Sequence, residues 1–258
     1  MLVLDDIKIG RFFGTGMARV ARSVRDLVYP PACCQCGVTI AEHGGLCPAC
    51  WTTVRFIERP FCEVLGTPFP YDEGEGAVSP EAIAEPPVFD RLRSVALHDG
   101  PVRHLVHQLK YRDRTDLVPM MASWMVRAAS AELAASDAVL AVPLHRARLL
   151  GRRFNQSAEL ARHVARLAGK PFLPGTLLRT KRTQQQVGLS ASAREANVRG
   201  AFRIAEGRAA DVLGRRIVLI DDVYTTGATV SAAARVLKRA GATGVTVLTF
   251  ARALSAPI

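Results

Sequence analysis

The sequence predicts an α/β protein in which a parallel sheet is flanked by helices and preceded by a small cysteine-rich module. Three observations support this fold class. From residue 89 onward, short apolar runs typical of strands alternate with helical patterns, as expected of a parallel sheet. Two CxxC pairs lie within the first 50 residues. The apolar run 217–220 leads directly into two aspartates and a hydroxyl-rich turn, an arrangement typical of the carboxyl end of a sheet strand.

The composition indicates a folded protein in a reducing compartment. Of its 258 residues, 49% are hydrophobic and 22% are charged, which excludes disorder for most of the chain. No apolar run approaches the ~20 residues that a membrane span needs, and Asp5 and Asp6 interrupt any signal-peptide apolar region. We therefore expect a cytoplasmic protein. Its six cysteines then favour metal ligation or core packing over disulfides.

Four segments are predicted along the chain. Residues 1–29 have helical spacing and end at Pro30 and Pro31, which cannot continue a helix. Residues 30–66 form the cysteine-rich module, and 67–88 form a linker rich in Pro, Gly and Glu. The α/β domain occupies residues 89–258. Its predicted strands are 94–97, 138–142, 216–220 and 245–250, and its predicted helices are 102–109, 117–133, 156–167 and a helix ending at Gly241.

The two CxxC pairs predict a structural zinc site. Ten residues separate them, and their four cysteines are Cys33, Cys36, Cys47 and Cys50. Thiolates are soft ligands, and two such turns present four sulfurs tetrahedrally to Zn²⁺. A site with four thiolates has no open coordination position, so it should be structural rather than catalytic. Reduced core cysteines and a redox CxxC pair are the alternatives.

The remaining candidate ligands fit this zinc site less well. Cys34 adjoins the first pair, and His43 lies in the loop between the pairs, where it could replace a sulfur. Cys62 has no matching partner, because Leu65 stands where a third CxxC would carry its second sulfur. We assign these residues no ligand role and expect one Zn²⁺ per chain.

The acidic pair and the turn after it are the sharpest functional signal. Asp221 and Asp222 follow the apolar run 217–220, and the turn begins a helix with the residues Thr225, Thr226, Gly227, Ala228 and Thr229. Such a turn at a helix amino terminus suits a phosphate, and without a lysine it is not a Walker-type loop. Paired carboxylates beside it suit a ribose diol and Mg²⁺, so the implied ligand is a sugar phosphate. The alternative is a capped helix after an ordinary strand.

Basic residues are concentrated in one stretch of the chain. Residues 140–200 contain 12 Lys and Arg against 2 Asp and Glu, whereas the whole chain carries +11. Such a block attracts polyanions: nucleic acid, an acidic partner or a phosphate-rich substrate. A solvated basic face is the alternative.

Four sequence features together resemble one family. The segment VLIDDVYTTGAT resembles the phosphoribosyl-pyrophosphate (PRPP) motif of type I phosphoribosyltransferases. Together with the CxxC ribbon, VPLHRxRxxxRxFNQ and RxxxTxxQ, it resembles the ComF family of double zinc ribbon, phosphoribosyltransferase-like proteins over residues 30–252. The chain departs from that family at Leu65, so a second zinc is not expected.

This resemblance implies a type I phosphoribosyltransferase fold, PRPP and Mg²⁺ as ligands, and transfer of phosphoribosyl to a nitrogenous acceptor with release of pyrophosphate. Asp221 and Asp222 would act in catalysis and hold the ribose, and the turn 225–229 would hold phosphate. The strand-end loop implied to hold pyrophosphate comprises Pro143, Leu144, His145 and Arg146. Arg182 and Arg194 would belong to a mobile catalytic loop. The family is also linked with uptake of transforming DNA.

A non-catalytic role is the alternative function. The chain would then be an accessory protein of DNA uptake that binds a nucleotide or single-stranded DNA and works with the DNA-uptake or helicase machinery. Sequence-tolerant DNA binding needs stacking rings among basic residues. Residues 140–200 contain only Phe154 and Phe172, whereas Trp51 and Phe56 lie near arginines in the module. The sequence predicts neither the acceptor nor the oligomeric state.

Overall fold

The computed structural model describes residues 26, 29–145, 154–181 and 197–254. By its internal contacts the chain divides into two compact units, residues 1–51 and 52–258. The predicted helix over 1–29 lies almost wholly outside the described residues. Residues 52–88 belong to the second unit, partly because Phe56 pairs with Ala96 of the sheet. The predicted boundaries after residues 29, 66 and 88 stay predictions.

A four-stranded parallel sheet forms the centre of the second unit. Its strands lie in the order β1-β6-β5-β2 and every neighbouring pair is parallel, as predicted. The strands are β1 (Arg91–Leu97), β2 (Ala138–Ala141), β5 (Arg216–Tyr224) and β6 (Gly244–Arg252). A separate antiparallel hairpin, which was not predicted, comprises β3 (Leu177–Arg179) and β4 (Phe202–Ile204).

β5 is longer than the predicted strand 216–220. It continues through both aspartates because β6 is equally long, and the two strands stay paired as far as Tyr224 and Arg252. The acidic pair therefore lies within the carboxyl-terminal half of a regular strand rather than after it. β2 ends opposite Ile220, and the amide of Val142 donates to the carbonyl oxygen of Ile220 at 2.9 Å.

Helices cover both faces of the sheet. The helices are α1 (Pro48–Trp51) in the first unit, and α2 (Pro80–Ala84), α3 (Gly100–Tyr111), α4 (Val118–Ala128), α5 (Ser130–Ala134), α6 (Gln156–Leu167) and α7 (Ala228–Arg239) in the second. Ile217 and Leu219 cluster with Leu237 of α7 on one face. Phe250, which is fully buried, stacks on Trp124 of α4 at 5.8 Å on the other. Predicted helix 156–167 is confirmed to the residue, whereas predicted helix 117–133 is interrupted at residue 129.

A short knuckle at residues 62–67 packs against the edge of the sheet. The amide of Cys62 donates to the carbonyl oxygen of Thr67 at 2.8 Å, and the amide of Gly66 donates to the carbonyl oxygen of Cys62 at 2.8 Å. Arg252, at the end of β6, donates to the carbonyl oxygen of Leu65 and to the Thr67 hydroxyl. Glycine is required at position 66, because φ is +60° and a Cβ there would lie 2.5 Å from the carbonyl oxygen of Leu92.

Candidate functional site

The four cysteines of the two CxxC pairs converge in the first unit. Their sulfurs, from Cys33, Cys36, Cys47 and Cys50, all lie within 4.8 Å of one another. The Sγ atoms of Cys36 and Cys47 are 3.7 Å apart. Two sulfurs of a tetrahedral zinc site, each ~2.3 Å from the metal, are separated by about 3.8 Å. The four residues therefore fit Zn²⁺ in a structural, closed site.

Backbone amides favour the thiolate form of Cys33. The first pair lies on a knuckle in which the amide of Cys33 donates to the carbonyl oxygen of Val38 at 2.7 Å, and Gly37 adopts φ +78°. The second pair leads into α1, and the amide of Cys47 donates to the sulfur of Cys33 at 3.3 Å. Burial would raise the pKa of Cys33, but neighbouring amides outweigh it and lower that pKa to about 6. Such a thiol is readily deprotonated for metal binding.

The other candidate ligands lie elsewhere. His43 Nε2 is 3.0 Å from Asp26 Oδ1. The sulfur of Cys62 is fully buried in the second unit, where it accepts from the amides of Leu65 and Ser79 at 3.3 and 3.2 Å. Within the described ranges, no other group of three or more His, Cys, Asp or Glu ligands is found.

The acidic pair lies at the carboxyl edge of the sheet. Asp222 is 9% exposed, and Asp221 is partly buried next to it on β5. Asp221 Oδ1 accepts from its neighbour's amide at 2.9 Å and from the Ser157 hydroxyl at 2.8 Å. Ser157 is placed there because Asn155 caps the amino terminus of α6: its Oδ1 accepts from the Ser157 amide at 3.1 Å.

A lysine that the sequence analysis did not single out completes this group. Lys110, in the last turn of α3, places its Nζ 2.8 Å from Asp222 Oδ1. His98, which follows β1, is close enough for its charge to interact with both Lys110 and Asp222. Burial, followed by the positive charges of Lys110 and Arg103, lowers the pKa of His98. His98 is therefore held towards its neutral form.

The environment of Asp221 favours its protonated form. Burial first, and then the negative charge of Asp222, raise the pKa of Asp221 to about 7. The Ser157 hydroxyl, the Lys110 ammonium and the Asp222 amide act in the opposite direction without cancelling this effect. A desolvated carboxyl beside another carboxylate binds its proton more tightly. Asp221 thus holds its proton well above the pH at which an ordinary aspartate loses it.

The predicted phosphate turn forms the junction between β5 and α7. Thr225 and Thr226 are exposed, and Gly227 adopts φ +76° immediately before the helix. The N-cap residue of this 12-residue helix is Gly227, which has no side chain to cap it, so the amides of the first turn of α7 point towards the carboxyl edge of the sheet as potential donors. Glycine is needed at position 227 because a Cβ there would lie 2.5 Å from the Tyr224 hydroxyl oxygen. Ala228 and Thr229 form the first turn of the helix.

The predicted pyrophosphate loop starts beside the acidic pair. Pro143, Leu144 and His145 follow β2, which pairs with β5 up to the residue before Asp221. Arg146, Arg182 and Arg194 lie outside the described residues, so their predicted roles stay predictions.

Comparisons with known proteins agree with this architecture. Residues 24–81 match the family described as Double zinc ribbon domain, and residues 155–257 match the Phosphoribosyl transferase domain. The "DNA utilization protein YhgH" of Salmonella typhimurium is 33% identical over 235 residues, which cover 88% of this chain and all of that protein. The chain belongs to the ComF family. The "Competence protein F" of Haemophilus influenzae is 27% identical over 85% of this chain and 95% of its own length.

Membership of the ComF family confirms the resemblance found in the sequence and the α/β fold with its zinc ribbon. Among solved structures, the glutamine PRPP amidotransferase of B. subtilis complexed with ADP and GMP is 27% identical over 52% of this chain and 25% of its own, with a TM-score of 0.34. The fold assignment rests on the family matches and the observed sheet instead. In the described part of the chain, no helix is long and apolar enough to cross a membrane.

Proposed function

We propose that the chain binds PRPP with Mg²⁺ at the carboxyl edge of the sheet and transfers the phosphoribosyl group to a nitrogenous acceptor. One observation carries the proposal: the acidic pair on β5 runs directly into the uncapped amino terminus of α7. Acceptors for a ribose diol and donors for a phosphate therefore follow one another along a single stretch of chain. Open α/β sheets bind their ligands at this edge.

Each part of the ligand has a partner of matching chemistry. The amides at the start of α7 and the hydroxyls of Thr225 and Thr226 are donors for the 5-phosphate. Asp221 and Asp222 accept hydrogen bonds from the ribose hydroxyls, and their oxygens are the hard ligands that Mg²⁺ prefers. The loop from Pro143 to Arg146 would bind the pyrophosphate.

The reaction is a substitution at C1 of the ribose. The bond between C1 and the pyrophosphate oxygen breaks, its electron pair leaves with pyrophosphate, and the acceptor nitrogen forms the new bond and loses a proton to solvent. When bound, Mg²⁺ neutralises charge on the pyrophosphate. Arg182 and Arg194 would donate to the departing oxygens, which is stabilisation needed most in the transition state. The step requires no nucleophilic side chain.

Ligand-induced stabilisation tests binding. PRPP with Mg²⁺ should raise the free energy of unfolding by roughly 2.7 kcal/mol at a hundredfold excess over Kd. Asp221→Asn combined with Asp222→Asn should abolish this increase. Asp72→Asn combined with Glu73→Gln removes the same charge from an exposed segment and should leave it intact. Retention of the increase in the Asp221/Asp222 variant would refute the assigned site.

A non-catalytic binding role is the second candidate, and the names of two relatives, DNA utilization protein and competence protein, favour it. In this role the chain would bind a phosphorylated nucleotide or single-stranded DNA as an accessory protein of DNA uptake. The basic stretch 140–200 would supply phosphate contacts, whose strength falls with salt.

Pyrophosphate release separates the two functions. The protein is incubated with PRPP, Mg²⁺ and a panel of purine, pyrimidine and nicotinate acceptors. Under the catalytic proposal, Arg182→Ala with Arg194→Ala should reduce turnover far more than PRPP affinity. If the unaltered protein binds PRPP and single-stranded DNA but releases no pyrophosphate with any acceptor, the accessory role replaces catalysis.

A further inference from the structure

The ammonium group of Lys110 forms an ion pair with the acidic pair. Lys110 Nζ lies 2.8 Å from Asp222 Oδ1, and the two side chains are 21% and 12% exposed. This is an ion pair of normal length in a poorly hydrated position, unlike most surface pairs. Lys110 reaches it from α3, the helix that follows β1, although β1 and β5 are separated by β6 in the sheet.

The described groups next to the acidic pair differ in charge. Asp221 receives two neutral donors, the Ser157 hydroxyl and a backbone amide. His98 interacts with both Lys110 and Asp222, and its environment favours the neutral form. Among the described residues facing the acidic pair, Lys110 is therefore the ammonium that offsets its negative charge.

An ammonium and a divalent cation compete for the same oxygens. A metal ligated by the pair would sit ~2.0–2.1 Å from a carboxylate oxygen. An ammonium hydrogen-bonded to Asp222 at 2.8 Å occupies part of that space and repels the metal electrostatically. Binding of metal to the free pair would have to displace Lys110 and leave it without its carboxylate partner.

We propose that Lys110 is the resident cation of the phosphoribosyl site: it neutralises the acidic pair in the free protein and excludes divalent cations from it. The identity of the site's ligand rests on the proposed function. The exclusion of metal from the free pair does not, because it concerns only residues of this chain.

The test measures Mn²⁺ binding to the zinc-loaded full chain without any phosphorylated ligand, by the loss of the free Mn²⁺ signal in electron paramagnetic resonance. Lys110→Met should create a Mn²⁺ site at least about tenfold tighter than any in the unaltered protein. Lys110→Arg keeps the charge and should not create it. Adding Asp222→Asn to Lys110→Met should remove the new site.

A matched control guards against a general charge effect. Lys238 Nζ lies 2.5 Å from Asp90 Oδ1, and this ion pair is not at the carboxyl edge of the sheet. Lys238→Met therefore also frees one carboxylate. It should not create a Mn²⁺ site of comparable affinity. Lys110→Gln serves as the second neutral variant should the Met variant fail to fold.

Two results would overturn the proposal: tight Mn²⁺ binding by the unaltered protein at the acidic pair, or no gain of binding in a folded neutral variant of Lys110. Failure of PRPP to stabilise the unaltered protein is a different result, because it would refute the proposed ligand while leaving the Mn²⁺ comparison valid.

Discussion

Asp221 should make the protein less stable as the pH rises. The pKa of this carboxyl is about 7 in the folded protein against an ordinary value of 3.8. Between those values the folded state retains a proton that the unfolded state has released, so the free energy of unfolding falls with increasing pH. Above about pH 7 the loss is complete. At 1.36 kcal/mol per pKa unit, a shift of about 3 units corresponds to at most about 4 kcal/mol.

Replacing this carboxyl by a neutral isostere should remove the loss. Asp221→Asn keeps an oxygen that can accept from the Ser157 hydroxyl, but it carries no charge. We expect the variant to exceed the unaltered protein in stability by up to about 4 kcal/mol at pH 8. At pH 5 the difference should be about 1–2 kcal/mol, because the folded carboxyl is then almost wholly protonated and only the cost of binding that proton remains. Urea unfolding at both pH values, followed by circular dichroism, measures the difference.

A control variant and two possible results test this pH dependence. Asp72→Asn alters an exposed aspartate, so its effect on stability should be small at both pH values. The reasoning is refuted if the difference between Asp221→Asn and the unaltered protein is the same at pH 5 and pH 8, or if the variant is less stable at pH 8.

Three further substitutions test packing, each by chemical unfolding. Gly227→Ala should cost about 1–3 kcal/mol more than Gly207→Ala, because both positions have positive φ but only Gly227 has no room for a Cβ. Cys62→Ala should cost about 1–3 kcal/mol by leaving two buried amides without their acceptor, while zinc content stays at the level of the unaltered protein. Arg93→Met should cost about 1–3 kcal/mol, because Glu63 and Glu132, with side chains only 15% and 8% exposed, lose the guanidinium that they share. The cost stays below that of an unpaired buried charge, since Arg59 still pairs with Glu63 and Arg91 with Glu132.

Each of these has a result that contradicts it. Equal costs at the two glycines would mean that the Tyr224 ring moves aside freely. Loss of zinc in Cys62→Ala would make that sulfur a ligand after all. An Arg93→Met variant as stable as the unaltered protein would show that Arg59 and Arg91 alone satisfy the two glutamates.

The sequence predicted the elements whose signals are local. The parallel sheet follows from apolar runs alternating with helical patterns, and the helical pattern over 156–167 agrees with the bounds of α6, whose start the structure shows to be capped by Asn155. The extension of β5 past residue 220 was missed, since it depends on pairing with β6, which no local pattern encodes. The hairpin of β3 and β4 was missed for a similar reason: its three-residue strands are too short to show a period.

The candidate site likewise combines residues that local sequence signals predict with one residue that they do not. The cysteine cluster and the acidic pair could be found from spacing and from position after a strand. Ser157 could have been found as well, because it follows the helix cap at the edge where β2 ends. Lys110 could not, since it belongs to α3, which follows β1 in the chain, and only the three-dimensional fold brings its side chain to Asp222 on β5.

The knuckle at residues 62–67 has the same backbone hydrogen bonds as the zinc knuckle at 33–38: residue 1 pairs with residue 6, and a glycine with positive φ occupies position 5. In place of the second sulfur it carries Leu65, a buried member of the hydrophobic core. One knuckle thus depends on a supply of zinc, and the other depends on water being excluded from it. In a cell deprived of zinc, we expect the first unit to lose its order while the carboxyl edge of the sheet keeps its shape.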